Sequence, residues 1–263
     1  MTGEYISNRI LPLILQDLCI ELGIDMQKFS EDWLVRMKKN RKVSWAVGYV
    51  FDLNSASAGL MASDKVAAYL AMTASDVPAV VHILAKSRTE KSVNLERVKL
   101  LESKSAYVAK PLMGSSGKLV KKLDTLEQTI DYINASNERE WTISPWLDIV
   151  SEQRIILLDG KPLASYQKTN PTTIDSLKLF NLFYGAVAVE SLPTNQEITI
   201  ARRAVESCGL RLGAVDIITT ADGHQKVLEI NSGISTEHFA RQSPQNYSVA
   251  KEIYRKILLA IFA

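Results

Sequence analysis

Three oxygen donors, Asp216, Glu229 and Asn231, interrupt two otherwise apolar runs late in the chain. The first run is Gly213-Ala214-Val215-Asp216-Ile217-Ile218, and after Asp222-Gly223 comes Val227-Leu228-Glu229-Ile230-Asn231. Apolar runs flanking an Asp-Gly turn read as a β-hairpin. A carboxylate inside an apolar strand is costly unless a cation compensates it. Glu229 and Asn231 stand two apart on one strand and therefore share a face. Magnesium favours such oxygen ligands, usually carboxylates completed by phosphate oxygens and water. The same pattern also fits a hairpin with polar residues on a solvated face, so the residues upstream decide.

Upstream groupings suit phosphate chemistry. Lys110-Pro111-Leu112-Met113-Gly114-Ser115-Ser116-Gly117 puts a lysine at the end of a predicted strand, followed by a Gly/Ser turn. Glycine lets backbone amides approach phosphate oxygens closely, and serine hydroxyls add donors. Asp64-Lys65 marks a helix start, and Glu152-Gln153-Arg154 is followed by an Asp159-Gly160 turn and then Lys168. Each alone is an ordinary turn, cap or surface charge. Neither a Walker A loop nor Gly-x-Gly-x-x-Gly occurs, so P-loop and dinucleotide folds gain no support. No Ser/His/Asp or Cys/His set offers a covalent route, and His82, His224 and His238 are too scattered to form a metal set.

Taken in order, these residues resemble the ATP-grasp superfamily from about Asn54 to Ser235. The shared run is Asp-Lys at a helix start, Lys-Pro with Gly-Ser-Ser-Gly, a hinge strand, an acidic-x-Arg strand and an Asp…Glu-x-Asn hairpin. No one motif is specific, but the ordered set is. Glu152-Gln153-Arg154 and Asn181 with Gly185 are most similar to the branch of ribosomal-protein glutamate ligase and glutathione synthase. The resemblance implies an α+β ATP-grasp fold, in which two α/β subdomains clasp ATP behind a shortened N-terminal α/β segment. It implies that Lys65 and Lys110 hold nucleotide phosphates while Gly114, Ser115, Ser116 and Gly117 close over them. Ser144, Pro145, Trp146 and Leu147 would be the hinge that reads adenine, and Glu152 would hold the ribose. Asp216, Glu229 and Asn231 would bind two magnesium ions, with manganese able to substitute, and Arg154, Lys168 and Asn181 would face the γ-phosphate and acyl group.

A carboxylate is a poor electrophile, and an amine does not displace its oxygen at neutral pH. Phosphoryl transfer from ATP makes an acyl phosphate that an amine can attack, and such transfer depends on positioning and charge neutralisation. An acyl phosphate hydrolyses in open water, so a closing loop is expected. The expected function is an ADP-forming carboxylate–amine ligase acting on small molecules or peptides that carry those two groups. A phosphotransferase and a non-catalytic nucleotide-binding regulator remain as alternatives. The segment before Asn54 has only about fifty residues, which leaves the acceptor pocket undefined. The metal segment runs on as Ser232-Gly233-Ile234-Ser235, without the proline often found there, and Arg241 reads as a surface residue.

The elements that must position these residues are also legible. Leu11, Ile14, Leu15, Leu18 and Leu22 recur at helical spacing up to Gly23. Lys38 to Lys42 reads as a solvated turn, Val43 to Phe51 as a strand and Asp64 to Met72 as a helix. Ala106–Lys110 and Lys118–Lys122 read as strands, before a helix capped from Asp124. Strands follow at 141–145, 154–158 and 163–167, then a helix capped by Thr194 and ended by Gly209, and a final amphipathic helix through Val249, Ile253, Ile257 and Leu258. These patterns predict an N-terminal segment 1–53, a first grasp subdomain 54–140 and a second 141–263.

At 263 residues, with 46% hydrophobic and 23% charged residues, the composition is that of an ordinary globular protein. A net charge of +2 argues against nucleic-acid or membrane-surface partners, and no apolar run approaches the roughly 18 residues of a membrane span. Cys19 and Cys208 read as buried reduced thiols and, with no secretory pattern at the start, predict a cytoplasmic protein. Self-association is left open.

Overall fold

Leu11, Ile14, Leu15 and Leu18 form the buried stripe of α1 (Leu11–Leu22), which Pro12 opens and Gly23 ends at φ 63°. This is seen in a computed structural model that describes residues 8–99, 101, 106–114 and 117–263. The next segment holds four strands where one was expected. They are β1 (Asp25–Phe29), β2 (Leu34–Lys39), β3 (Lys42–Val47) and β4 (Val50–Phe51), an antiparallel meander in that order. Turn chemistry accounts for the difference. Ser30, Glu31 and Asp32 adopt φ of 51°, 54° and 65°, Asn40 adopts 56° and Gly48 adopts 59°, so the chain reverses at each. The Lys38–Lys42 turn is the β2–β3 reversal, as read. The run read as one strand breaks at Gly48, where a β-carbon would meet the Trp33 ring at 2.8 Å.

Two helices follow. Ser55 caps α2 (Ala56–Ser63), and Asp64 starts α3 (Lys65–Ala74) by accepting from the Val66 and Ala67 N–H groups at 2.9 Å. The small sheet comes next, with β5 (Ile83–Lys86), α4 (Lys91–Val98), β6 (Tyr107–Pro111), β7 (Lys121–Leu123), α5 (Leu126–Asn134) and β8 (Glu140–Pro145). Its antiparallel order is β5-β8-β6-β7, and Trp141, Ile143 and Ala109 pack with Ile130 and Ile133 of α5. Thr125, one residue after the expected Asp124, caps α5 through the Gln128 N–H.

The large sheet collects β9 (Ile149–Leu158), β10 (Lys161–Thr169), β13, β14 and β15. Between β10 and β13 (Val187–Glu190) the chain makes a hairpin of β11 (Thr172–Ile174) and β12 (Leu177–Leu179), then a 3-10 turn at Leu182–Tyr184. After β13 come α6 (Asn195–Ser207) with its Thr194/Glu197 capping box, β14 (Leu212–Thr220), β15 (Gln225–Asn231), α7 (Glu237–Ala240) and α8 (Pro244–Phe262). The order is β13-β10-β9-β14-β15, antiparallel throughout.

One face of this sheet, with Ile155, Leu157, Val215, Ile217, Val227 and Ile230, packs on α2, α3 and α6. The other face buries Ile156, Tyr166, Leu212 and Ala214 against α1, α8 and the meander. The boundary read at 140/141 therefore lies at the start of β8, whose hydrogen bonds run to β5 and β6 of the small sheet. Likewise α2 and α3 pack with the large sheet rather than the small one. Hydrogen-bond pairing and burial, not chain order, allot these pieces. Among the described residues no helix is long and apolar enough to cross a membrane, and both cysteines are free and buried.

Candidate functional site

Strand alternation places Glu152 and Arg154 of β9, Lys168 of β10 and Asp216 of β14 on one face of the large sheet. In the register Glu152 is opposite Lys168, Arg154 opposite Asp216, Asp216 opposite Glu229, and Ala214 opposite Asn231. Residues far apart in sequence thus form one charged patch. Arg154 grips Asp216 with both prongs, Nε to Oδ1 at 2.7 Å and Nη2 to Oδ2 at 2.5 Å. Lys168 Nζ lies 3.0 Å from Asp216 Oδ1 and also donates to Glu152 Oε1. Asp216 is fully buried, and Glu152 and Lys168 are each 6% exposed, so these charges answer mainly to one another.

Their ionisation follows from that packing. Burial opposes the Asp216 charge, but Arg154 and Lys168 outweigh it and hold the carboxyl well below the usual carboxylate range. Burial likewise opposes the charges of Arg154 and Lys168, and Asp216 keeps both protonated, with help from Glu152 in the case of Lys168. Glu152 differs. Burial pushes it up to about 7 against the pull of Lys168, with Asp216 adding to the rise. This carboxyl, the one expected to hold a ribose, already has Lys168 on one of its two oxygens.

The small sheet and α3 supply the facing cations. Lys110 extends from β6, opposite Thr142, and burial lowers its pKa while Glu229 and Glu152 resist. Among the described residues no carboxylate lies within ion-pair reach of it. Lys65 opens α3 and donates to the carbonyls of Gly114 at 2.8 Å, Leu112 at 3.3 Å and Pro111 at 3.4 Å. Burial lowers its pKa too, with Glu229 the main opposing charge. Lys65 therefore anchors the start of the glycine loop as well as facing the carboxylates. Gly114 folds back on Pro111, where a β-carbon would fall 2.9 Å from the ring. Gly117 adopts φ 72°, which disfavours a side chain, and a β-carbon there would lie 3.3 Å from the Tyr184 ring and 3.6 Å from the amide of Asn181. Ser115 and Ser116 lie outside the described residues. Asn181 is not on the charged face: its Oδ1 caps the 3-10 turn through the Phe183 N–H at 2.9 Å.

The expected hinge lies at the end of β8, between the two sheets. The Trp146 N–H is already taken by the Ala106 carbonyl at 2.8 Å, so that amide is not free for an adenine edge. Pro145 pairs with Tyr107, Leu147 is half-buried, and Lys122 sits 4.4 Å over the Trp146 ring. The Ser144 hydroxyl is buried against His82 Nδ1 at 2.8 Å. Sequence reading set His82 aside as one of three scattered histidines, and no local signal marks this contact. It also passed over the β11–β12 hairpin, which reaches β7 through Lys121–Asp175 at 3.3 Å and the residue after the expected hinge through Lys178–Asp148 at 3.1 Å.

Asp216, Glu229 and Asn231 offer two carboxylates and an amide oxygen on adjacent strands, a hard donor set that suits magnesium. Asn231 turns its Nδ2 towards Glu229 Oε1 at 3.4 Å, which leaves its Oδ1 as the acceptor. Asp216 Oδ1 is filled by Arg154 and Lys168, so Oδ2 is the oxygen with capacity to spare. Among the described residues no three His, Cys, Asp or Glu side chains converge on one point, so the donor set depends on Asn231.

Comparison with known proteins agrees with this architecture. The family model of the RimK-like ATP-grasp domain matches residues 62–257. The fold is that of the D-cycloserine synthetase DcsG, at a TM-score of 0.58 and 16% identity over 75% of this chain and 71% of that one. It is also that of D-alanine–D-alanine ligase from Bacillus anthracis complexed with ATP, at 0.58 and 15% over 78% of this chain and 67% of that one. The ATP-grasp ligase PsnB complexed with a minimal precursor matches at 0.54 and 16%, over 76% of this chain and 64% of PsnB. At such identities the likeness is one of fold, and the chain spans only about two thirds of these proteins' lengths. No curated protein sequence matches the chain.

Proposed function

Because the chain belongs to the RimK-like ATP-grasp family, we propose that it is an ATP-dependent, ADP-forming carboxylate–amine ligase working through an acyl phosphate. The observation that carries the proposal is the charged sheet face, with Arg154, Lys168, Asp216 and Glu229 set against Lys110 and Lys65 across the junction of the two sheets. The site pairs fixed cations with oxygen donors, which is what phosphoryl transfer requires. Magnesium, held by Glu229 and Asn231 with Asp216, would neutralise charge on the phosphates when bound. Lys110, a shielded amine without an ion-pair partner among the described residues, would take phosphate charge. Lys65 holds the loop that starts at Gly114 and adds a second positive charge.

In the reaction, a carboxylate oxygen of the substrate attacks the γ-phosphorus and ADP leaves. The amine then attacks the acyl carbon, loses a proton, and phosphate departs with that carboxylate oxygen. Arg154 would steady the transferring group on exchanging Asp216 for phosphate, and the Gly114–Gly117 loop would exclude water. The substrates are amino acids or peptides, in keeping with the family and with the precursor bound by PsnB.

The direct test supplies amino acids and short peptides with ATP and magnesium and follows ADP release and product mass. Oxygen-18 in the substrate carboxylate should appear in the released phosphate. A stable phosphoester carrying the γ-phosphate would overturn the ligase and establish a kinase. Glu229→Gln, which removes one charge and keeps the shape, should abolish turnover without unfolding the protein. Full activity in that variant would break the metal–phosphate assignment.

A further inference from the structure

Val227 and Glu229 are two residues apart on β15, and an uninterrupted strand would point both to the same face. They point to opposite faces. Val227 is buried with Ile217 and Ile230 against the helices, whereas Glu229 lies opposite Asp216 in the charged patch. The cause is a β-bulge. The pairing slips from Asp216 with Glu229 to Ile217 with Val227, which leaves Leu228 as an extra residue outside the ladder. Bulges of this kind re-aim side chains next to functional sites. The carbonyl of an extra residue needs a partner from elsewhere.

His82 is that partner. Its ring is 3% exposed, and Nε2 lies 3.4 Å from the Leu228 carbonyl. A carbonyl only accepts, so Nε2 carries the proton and Nδ1 accepts from Ser144 Oγ at 2.8 Å and Thr142 Oγ1 at 3.2 Å. One imidazole thus joins β8, at the hinge, to the residue beside Glu229. The flanking chain runs the same way: Pro78 O accepts from Val227 N–H at 2.8 Å, and Val80 N–H donates to Val227 O at 2.9 Å. Burial and the neighbouring Lys110 push His82 down to about 3, which keeps the ring neutral.

We propose that His82 is a positioning residue that pins the Leu228 bulge and so sets the aim of Glu229 towards the metal–phosphate site. The proposal rests on the reading of Glu229 as a magnesium ligand, and its test separates the two ideas. A non-hydrolysable ATP analogue is titrated by calorimetry with and without magnesium into the wild type, His82→Leu, His82→Gln and Glu229→Gln. In His82→Leu the factor by which magnesium tightens binding should fall about tenfold, as expected when a sheltered carbonyl loses its donor and the bulge its anchor. Magnesium-free affinity should change by less than about twofold, since only the aim of Glu229 is disturbed.

His82→Gln, whose amide can both donate and accept, should recover part of the magnesium effect. A loss of equal size with and without magnesium would mean a general packing role and would overturn the proposal. An undiminished magnesium effect in His82→Leu would overturn it as well. If His82→Leu does not fold, His82→Asn, too short to span both sides, is judged by the same two criteria. A wild type without any magnesium effect, matched by Glu229→Gln, would instead remove the ligand assignment and this inference with it.

Discussion

The two ends of one sheet face do opposite things with the same alternation. Towards one end Leu212, Ala214, Ile156 and Tyr166 are buried under α8 and the N-terminal meander. Two to four residues along the same strands, Asp216, Arg154, Glu152 and Lys168 occupy the same face but carry charge, and all but the half-buried Arg154 are as sheltered. The apolar end stabilises by removing surface from water. The charged end gains little in net stability, because the attraction between its ions is offset by their desolvation. On the proposed function its value lies in readiness: cations and carboxylates are fixed before any phosphate charge arrives. The comparison shows how one sheet can be split into a structural half and a chemical half by residue type alone.

The largest effect should come from unbalancing the charged half. Asp216→Ala leaves Arg154 and Lys168 without their common anion and should cost about 3–5 kcal/mol in urea unfolding. Pairing Asp216→Leu with Arg154→Met keeps the Lys168–Glu152 pair and should restore most of that stability without restoring nucleotide binding. If the double variant were as unstable as the single one, the charged half would be structural after all.

A cut in the apolar half should be comparable or somewhat smaller in stability and silent in chemistry. Leu212 is fully buried, and Leu212→Ala should cost about 2–4 kcal/mol, measured by the same unfolding. The nucleotide affinity of the folded fraction should stay within about twofold of wild type. A larger change would show that the halves are coupled rather than separate.

The smallest effect concerns pH and sharpens the contrast within the charged half. The folded pKa of Glu152, about 7, lies above its ordinary value of 4.5, so its contribution is fully present below pH 4.5 and is lost as pH rises through about 7. Asp216 is held below its ordinary value of 3.8, so its contribution is present above that pH and is lost on acidification. Stability should therefore fall on both sides. Unfolding at pH 5 and pH 8 should show that Glu152→Gln flattens the upper decline, by on the order of 2 kcal/mol, while the acid decline remains. An unchanged upper decline would remove Glu152 as its source.

The local elements that position the site were readable because their signals lie within a few residues. Gly23 stops α1, Asp64 starts α3, the Thr194/Glu197 box opens α6, and Asp222-Gly223 turns the β14–β15 hairpin. Of the N-terminal meander only one turn and one strand were readable, because its strands are short, β1 buries no residue, and the reversals depend on left-handed residues such as Asn40 and Gly48. Even the start of α1 has a remote cap. Its Ile10 and Leu11 N–H groups donate at 2.7 and 3.0 Å to the buried carboxylate of Glu237, more than two hundred residues away.

The sequence by itself determined the inventory: a hairpin bearing Asp216, Glu229 and Asn231, lysines at a helix start and a strand end, and a glycine loop between strands. Residue type and short-range spacing suffice for that, because donors, turns and caps are local properties. Tertiary structure alone decided which charges answer which. Asp216 is matched by Arg154 and Lys168 rather than standing free, Glu152 is closed onto Lys168, and Lys65 is tied to the loop carbonyls. It also decided which way Glu229 points, through a bulge at Leu228 that His82 meets from the segment before β5. The physical reason is register. A slip of one residue exchanges the two faces of a strand, and only the neighbouring strands and the groups packed against them select which slip is made.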